Sequence, residues 1–383
     1  MRLYIAGGCG EHGRNCFLIE GETYSILVDC GIGRNVSFDY PLLSKEQIKK
    51  IQYCFLTHSH KDHTGALEWL TNQGFCGKIY MTEETKNHFS SKFVGDDFLY
   101  SLLEQHQLDS DLKVYWGRNG HCLGSVWYLI EFEKTRLFFS GDYSENSNIY
   151  ACDFVRNIAA DLAVIDCAYG DSIISAEEER EKLKNRIFTN IEMKKTTLLP
   201  VPAWGRGIEL LSMVLEQERG IPVYYDDGIK KQLSYLQNTS KWILEKELIK
   251  RTISCHELKK WKEEPAILFL SDPQLEKKTS QFLAKSIITA GGEIILTGHI
   301  YHHTFAKKLI DQNQAEILLY PIHMNREQAE EFCKKNDFKK IVLNHCASAV
   351  SPFFNAINLN PGAYIGIKKR VKSLEHKLFT LLL

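Results

Sequence analysis

Three histidines and an aspartate stand within six residues, directly after an apolar run that reads as a strand. The segment begins at Thr57 and reads Thr-His-Ser-His-Lys-Asp-His-Thr-Gly. Imidazole and carboxylate are the ligands that zinc prefers outside thiolate sites. In an extended loop His58 and His60 project to the same side, so both can reach one ion. Asp62 and His63 follow where the chain turns into a helix and face a neighbouring position. This spacing predicts two metal ions side by side.

Five more ionisable side chains lie at positions where a predicted strand and a loop meet. They are His121, Asp142, Asp166, His323 and His345. Active sites of layered α/β folds gather at such strand ends. Any one of these residues alone is typical of a helix cap, a turn or a satisfied core histidine. Together, and in this order after the first motif, they predict one site built from distant segments.

The order of predicted elements indicates a layered α/β fold. Short strands and helices alternate in the first third of the chain and again from Glu293, with a helix-rich, charged stretch between them. We interpret that stretch as an insertion. The length of 383 residues allows one large domain or two, and 44% hydrophobic with 25% charged residues is ordinary for a packed protein. This composition excludes a disordered, collagenous or coiled-coil chain.

Charge and cysteine content narrow the functional classes. Lys and Arg number 47 against 48 Asp and Glu, a net charge of −1, which argues against wholesale coating of nucleic acid but not against a local basic groove. The 11 cysteines contain no C-x-x-C pair, so we expect packing residues in a reducing cytoplasm. No apolar run approaches 18 residues, and the apolar start is too short for a signal peptide, so we expect no membrane partner.

The order His58-x-His60-x-Asp62-His63, then His121, then Asp142, resembles the metallo-β-lactamase fold hydrolases. Asp29 in Leu-Val-Asp-Cys-Gly is similar to the first motif of that fold. Within it, the chain resembles the RNA-processing members of the β-CASP nuclease family. The residues that carry this second resemblance are the motif A acid Asp166, the motif B and motif C histidines His323 and His345, and the segment from Pro200 to Glu209, which is similar to Pro-x-x-x-x-Gly-Arg-x-x-Glu. One departure is Met324-Asn325 after His323, where the family carries a small residue and Asp.

The resemblance implies an α/β fold, namely a metallo-β-lactamase αββα sandwich with an inserted α/β β-CASP cap domain. Residues 1–170 are expected to form the first part of the metallo-β-lactamase domain and residues 171–297 the cap. Residues 298–383 are expected to close the first domain and to end in a short C-terminal tail. We expect the additional C-terminal domains of some relatives to be absent.

The resemblance also implies a role for each candidate residue. His58, His60 and His121 would hold one zinc, Asp62, His63 and His345 the other, and Asp142 would bridge both. His323 is the candidate general acid and Asp166 its orienting partner, and with Asp62 these form the predicted catalytic set. Arg206 is predicted to bind a backbone phosphate. A strand-end cap at Asp166 and a packing arginine at Arg206 stay open as structural alternatives.

The predicted activity is hydrolysis of phosphodiester bonds in single-stranded RNA by a zinc-dependent ribonuclease. Two cations lower the pKa of a shared water and neutralise charge on the phosphorane-like transition state. His345 at motif C favours RNA over DNA, because the DNA-repair branch of the family carries Val there. Manganese in place of zinc, a DNA nuclease, a small-molecule hydrolase such as a thioesterase, and a non-catalytic RNA-binding subunit stay open. The sequence does not distinguish endonucleolytic from exonucleolytic cutting.

Overall fold

A computed structural model describes most of the chain. The described residues are 1–33, 40–88, 99–101, 105–217, 220, 222–237, 239, 241–244, 248–252, 255–347, 350–351, 353 and 356–367. The predicted C-terminal tail beyond residue 367 lies outside them.

Two seven-stranded sheets pack face to face. In spatial order, the first sheet contains Tyr364–Gly366, Arg2–Gly7, Cys16–Glu20, Ser25–Val28, Ile51–Phe55, Lys78–Met81 and Leu99–Ser101. The second contains Ala356–Ile357, Ile341–Asn344, Leu162–Asp166, Thr135–Phe139, Val126–Phe132, Leu112–Arg118 and Gln105–Asp109. Large aromatic residues join the facing sides: the ring centres of Phe17 and Phe139 are 5.9 Å apart, and those of Phe55 and Tyr128 are 5.8 Å apart. The main hydrophobic core therefore lies between the sheets.

Helices cover the outer faces of both sheets. The helices of this part are Lys45–Lys49, Lys61–Thr64, Leu67–Asn72, Glu83–His88 and Arg326–Lys334. Leu67 and Leu70 are fully buried against the first sheet, and Phe332 packs on Phe138 of the second sheet with 6.0 Å between ring centres. Burial of these apolar stripes stabilises the layers. The predicted α/β fold with four layers in the order α, β, β, α is confirmed.

A third, six-stranded sheet is entirely parallel. Its strands in spatial order are His256–Glu257, Val223–Tyr225, Ile267–Leu270, Thr197–Pro200, Glu293–Leu296 and Glu316–Ile317. The accompanying helices are Ala176–Glu192, Arg206–Leu215, Asp227–Leu236, Leu248–Arg251, Lys278–Thr289 and Phe305–Asp311, with a 3₁₀ turn at Leu258–Lys260. The central strands Thr197–Pro200 and Ile267–Leu270 are buried along their whole length because both faces of the sheet are covered.

The third sheet extends beyond the predicted end of the insertion. Its last strand, Glu316–Ile317, follows residue 297, which we predicted as the boundary of the cap. The division of the chain into 1–170, 171–297 and 298–383 stays a prediction. We place the end of the proposed cap after this strand, because a strand belongs with the sheet that supplies its hydrogen bonds.

Two short strand pairs tie distant loops together. Cys9–Gly10 pairs in parallel with Cys346–Ala347, which brings the glycine-rich turn after the first strand beside His345. Ala159–Ala160 pairs with Asp337–Phe338. All 11 cysteines are free and most are buried, which matches their predicted packing role. Among the described residues, every helix is too short or too polar to cross a bilayer.

Candidate metal centre and active site

The predicted site residues converge at one edge of the two facing sheets. Strands Thr135–Phe139, Leu162–Asp166 and Ile341–Asn344 run parallel in the second sheet, so their carboxyl ends meet. Strand Ile51–Phe55 of the first sheet delivers the Thr57 loop to the same place. The loops that follow parallel strands all begin at the same edge of the sheet. Residues far apart in sequence therefore become neighbours here.

The first ligand group contains His58, His60, His121 and Asp142. Nδ1 of His60 lies 3.1 Å from Nε2 of His58 and 3.1 Å from Nε2 of His121. Oδ2 of Asp142 lies 3.5 Å from Nε2 of His58 and 3.4 Å from Nε2 of His121. Four ligands held about 2.0–2.1 Å from a tetrahedral zinc lie about 3.3–3.4 Å from one another. The spacing of this group therefore fits one zinc ion.

Hydrogen bonds on the far side of the His60 and His121 rings support the same interpretation. Nε2 of His60 donates to the Trp204 carbonyl at 3.1 Å, and Nδ1 of His121 donates to the Ile322 carbonyl at 3.4 Å. The other nitrogen of each ring is left with a lone pair directed at the group. Burial lowers the pKa of His58, His60 and His121, which favours the neutral form that a metal ligand needs.

The second ligand group contains Asp62, His63, Asp142 and His345. Oδ2 of Asp62 lies 3.1 Å from Nε2 of His345 and 3.9 Å from Nε2 of His63. Oδ1 of Asp142 lies 3.1 Å from Nε2 of His63 and 3.5 Å from Nδ1 of His345. Asp142 thus presents one carboxylate oxygen to each group. Among the described side chains, Oδ1 of Asp142 and Nδ1 of His345 are buried without a hydrogen-bond partner, which fits a cation between them.

The charge balance of the second group also calls for a cation. Burial alone would lower the pKa of His63, but the carboxylates of Asp142 and Asp29 outweigh burial and raise it well above its ordinary value. His345 behaves likewise: burial opposes protonation, but Asp142 and Asp62 raise its pKa to about 9. A divalent cation bound in this group would compensate the same buried carboxylates.

Asp29 orients His63 from behind. Nδ1 of His63 donates to Oδ2 of Asp29 at 2.7 Å. Thr57 holds the same carboxylate, with its backbone N–H donating at 2.8 Å and its hydroxyl at 2.9 Å. This carboxylate–histidine pair directs Nε2 of His63 towards Asp142.

His323 and Asp166 form a pair beside both ligand groups. Nδ1 of His323 donates to Oδ2 of Asp166 at 2.8 Å, and the His323 ring centre lies 4.9 Å from that of His121. Asp166 is fully buried and also accepts from the backbone N–H groups of Tyr143 and Ala168, each at 3.0 Å. The same two residues form, with Asp142 and His345, a third group close enough to hold a metal. Geometry alone therefore allows His323 to act as an acid or as a ligand.

The segment after His323 keeps its architecture despite the departure from the family motif. Met324 is buried, and Asn325 caps the helix Arg326–Lys334 by accepting from the Gln328 backbone N–H at 2.9 Å. Asparagine is as good an N-cap as aspartate. His323 is therefore held in place without the family's aspartate.

Arg206 lies at the first turn of helix Arg206–Leu215, next to the first ligand group. The preceding residue, Gly205, has a φ of +84°, and a Cβ on it would lie 3.1 Å from the His121 carbonyl oxygen. Only glycine fits this approach without strain. Burial lowers the pKa of Arg206, and its Nε is buried without a hydrogen-bond partner among the described residues. The guanidinium packs against Gly298.

Several contacts of the site carry no sequence signal of their own. Asp29 was linked to a fold motif, but its contact with His63 depends on the sheet register. His12 stacks on His345 with 4.3 Å between ring centres, and the ring centres of His299 and His12 are 4.5 Å apart. A lone histidine in a glycine-rich turn or a strand-end loop does not predict such a contact, because nothing local points to the partner.

The chain matches the family model of the metallo-β-lactamase superfamily over residues 9–188. It therefore contains a metallo-β-lactamase superfamily domain. A crystal structure of a protein of unknown function from Enterococcus faecalis V583 has a similar fold, with a TM-score of 0.59 and 12% identity, covering 95% of this chain and 99% of that one.

Curated relatives are similar to the chain beyond the residues of that family model. The chain is 24% identical to "Endoribonuclease YSH1" of Candida albicans over 90% of its own length and 48% of that protein. It is 28% identical to "Cleavage and polyadenylation specificity factor 73" of Drosophila melanogaster (62% and 40% covered), and 26% identical to "Transcription termination factor FttA" of Lokiarchaeum sp. (60% and 42%). The chain is thus similar, at modest identity, to curated proteins that include a named endoribonuclease. It spans about half or less of the length of these relatives.

Proposed function

We propose that this chain is a metal-dependent nuclease that hydrolyses phosphodiester bonds of single-stranded RNA. The observation that carries the proposal is the placement of Asp142, whose two carboxylate oxygens face two different groups of histidine and aspartate ligands. The second support is the adjacent His323–Asp166 pair. The similarity to a protein named as an endoribonuclease favours RNA as the substrate.

We further propose that both groups hold zinc in the working protein. His58, His60 and His121 would bind one ion, Asp62, His63 and His345 the other, and Asp142 both. Bound there, the two ions would supply Lewis acidity for water activation and for charge neutralisation at the phosphate. Manganese fits the same nitrogen and oxygen donors and stays an alternative.

The protein side chains supply the remaining steps. The leaving oxygen of a phosphodiester needs a proton, and His323 is the proposed donor through the nitrogen that does not contact Asp166. Asp166 accepts from Nδ1 of that ring and so fixes which ring nitrogen stays available to the leaving oxygen. Because it accepts two backbone hydrogen bonds and is fully buried, Asp166 holds His323 in a single orientation.

We propose that the third sheet and its helices form the cap and that RNA passes between cap and sandwich. The two parts meet at the ligands: His60 donates to the Trp204 carbonyl, and Gly205 approaches His121. Arg206 stands at this junction with a buried guanidinium and suits a phosphate of the RNA backbone. A small-molecule substrate would not need a second covering layer of this size.

The test is cleavage of end-labelled single-stranded RNA by purified protein loaded with zinc or manganese. Cleavage is expected with either or both metals, and it should disappear with chelator and in Asp142→Ala. Duplex DNA and a thioester should be left intact under the same conditions. If the protein binds two ions, leaves RNA intact and cleaves duplex DNA or a thioester, the RNA proposal is overturned. Protein that binds no metal but retains RNA would indicate the non-catalytic alternative. The predicted cytoplasmic location stays a prediction.

A further inference from the structure

We propose that His12 is a positioning residue for the second ligand group, because it holds His345 in the backbone conformation that directs its ring at Asp62 and Asp142. This inference rests on the proposed metal-dependent function. His12 belongs to none of the groups of described residues that are close enough to share an ion. It therefore acts on the metal centre through His345.

His345 has a backbone conformation that needs external support. Its φ is +64°, in the left-handed region that residues other than glycine rarely adopt. Such a conformation persists only where the surrounding structure imposes it. In His345 it turns the chain sharply after strand Ile341–Asn344, which delivers the ring to Asp62 at 3.1 Å. A relaxed backbone at this position would redirect the ring.

Both backbone polar groups of His345 are bound by the glycine-rich turn that follows the first strand. The His345 N–H donates to the Gly8 carbonyl at 2.7 Å. Nδ1 of His12 donates to the His345 carbonyl oxygen at 2.9 Å, a bond that only the Nδ1–H tautomer can make. The two hydrogen bonds fix the peptide groups before and after His345, the residue with the left-handed backbone conformation.

The ring of His12 adds a second constraint. It stacks on the His345 ring with 4.3 Å between centres and only 11° between planes. A parallel stack limits the rotation of His345, so the ring keeps one nitrogen on Asp62 and the other on Asp142. Few side chains other than histidine can both donate to the carbonyl and stack on the ring.

His12 is itself held from two directions. The pairing of Cys9 with Cys346 fixes its loop beside His345, and Glu11 braces the loop through two 2.8 Å hydrogen bonds from Arg14. His299, in the loop after strand Glu293–Leu296 of the third sheet, contacts the His12 ring at 4.5 Å. The contact chain His299–His12–His345 thus links the third sheet to the second ligand group.

The experiment measures metal affinity and needs no substrate. Zn²⁺ is titrated into metal-free parent, His12→Ala, His12→Phe and His12→Asn against a competing chromophoric chelator, and thermal unfolding confirms that each variant folds. His12→Ala is expected to bind the first ion as the parent does and the second about 10–100-fold more weakly, as is typical when a partner of a ligand is lost. His12→Phe keeps a stacking ring and His12→Asn keeps a donor, so each should recover part of the loss.

The control and the contrary outcomes separate this inference from the proposed function. His303→Ala removes an exposed ring and should leave both affinities unchanged. If folded His12→Ala binds both ions with the affinity of the parent, the inference is overturned alone. If His12→Ala does not fold, the affinity of the parent for both ions in His12→Phe and His12→Asn would have the same consequence. A parent that binds two ions but cuts no nucleic acid would overturn the proposed function alone. Fewer than two ions in the parent would overturn both.

Discussion

Replacing His323 with alanine distinguishes the two roles that the geometry allows for this residue. His323 donates to fully buried Asp166 at 2.8 Å, and it also lies within the third group that could hold a metal. As a general acid it should contribute about 10²–10⁴-fold to the rate, or about 3–5 kcal/mol of transition-state stabilisation. As a metal ligand its loss should instead reduce the number of bound ions.

The assay compares two phosphodiesters that differ in the need for a proton donor. The leaving group of RNA is a strongly basic ribose alkoxide. The leaving group of bis(p-nitrophenyl) phosphate is a stable phenolate that needs no proton. His323→Ala should therefore lower kcat/KM for RNA by roughly 10²–10⁴-fold but for the nitrophenyl ester by less than about ten-fold. Asp166→Asn removes the negative charge of the group that accepts the Nδ1 proton and should act in the same direction.

The control for this experiment is the metal content of each variant. Two bound ions should remain after His323→Ala, because the first and second ligand groups do not include this residue. Equal losses on both substrates, or the loss of an ion, would refute the assignment of His323 as the acid. The result would then favour His323 as a ligand beside Asp142 and His345.

Three further predictions concern the bridging ligand, the phosphate contact and pH. Asp142→Asn replaces one shared oxygen with a non-ligand amide, so elemental analysis should find at most one ion, and the cleavage rate should fall by about 10³-fold or more. Arg206→Gln should raise KM for RNA by about 10–100-fold with little change in kcat; an unchanged KM with a lower melting temperature would identify a packing arginine instead. Because the pKa of His345 is raised from 6.5 to about 9, a proton must leave when a cation binds. Affinity for the second ion should therefore rise with pH between about 6.5 and 9, and a flat profile in competition titrations would contradict this.

Much of the candidate metal centre was predictable because its first half is local. His58, His60, Asp62 and His63 share one loop, and the 2-residue repeat of an extended chain is enough to group them. A layered α/β fold was predictable for the same kind of reason, since alternating strands and helices have few ways to bury their apolar faces. The order of the four layers was expected from the family resemblance alone. The helix Ala176–Glu192 begins after Ser175, whose side chain caps it by accepting from the Glu178 backbone N–H.

The extent of the third sheet was less predictable. Strand Glu316–Ile317 pairs with Glu293–Leu296 across the helix Phe305–Asp311, beyond the boundary predicted at residue 297. A two-residue strand has almost no periodicity, so only its hydrogen-bond partner shows where it belongs.

The amino-acid sequence by itself determined which ligand chemistry this protein can offer, because the identity and local spacing of His58, His60, Asp62 and His63 need no tertiary contact. Only the tertiary structure decided how that chemistry is assembled. The register of parallel strands brings Asp142 between two ligand groups, Asp29 behind His63, and His12 onto His345. These contacts join residues that are far apart in the chain, so no local pattern encodes them, and they exist only once the sheets are packed.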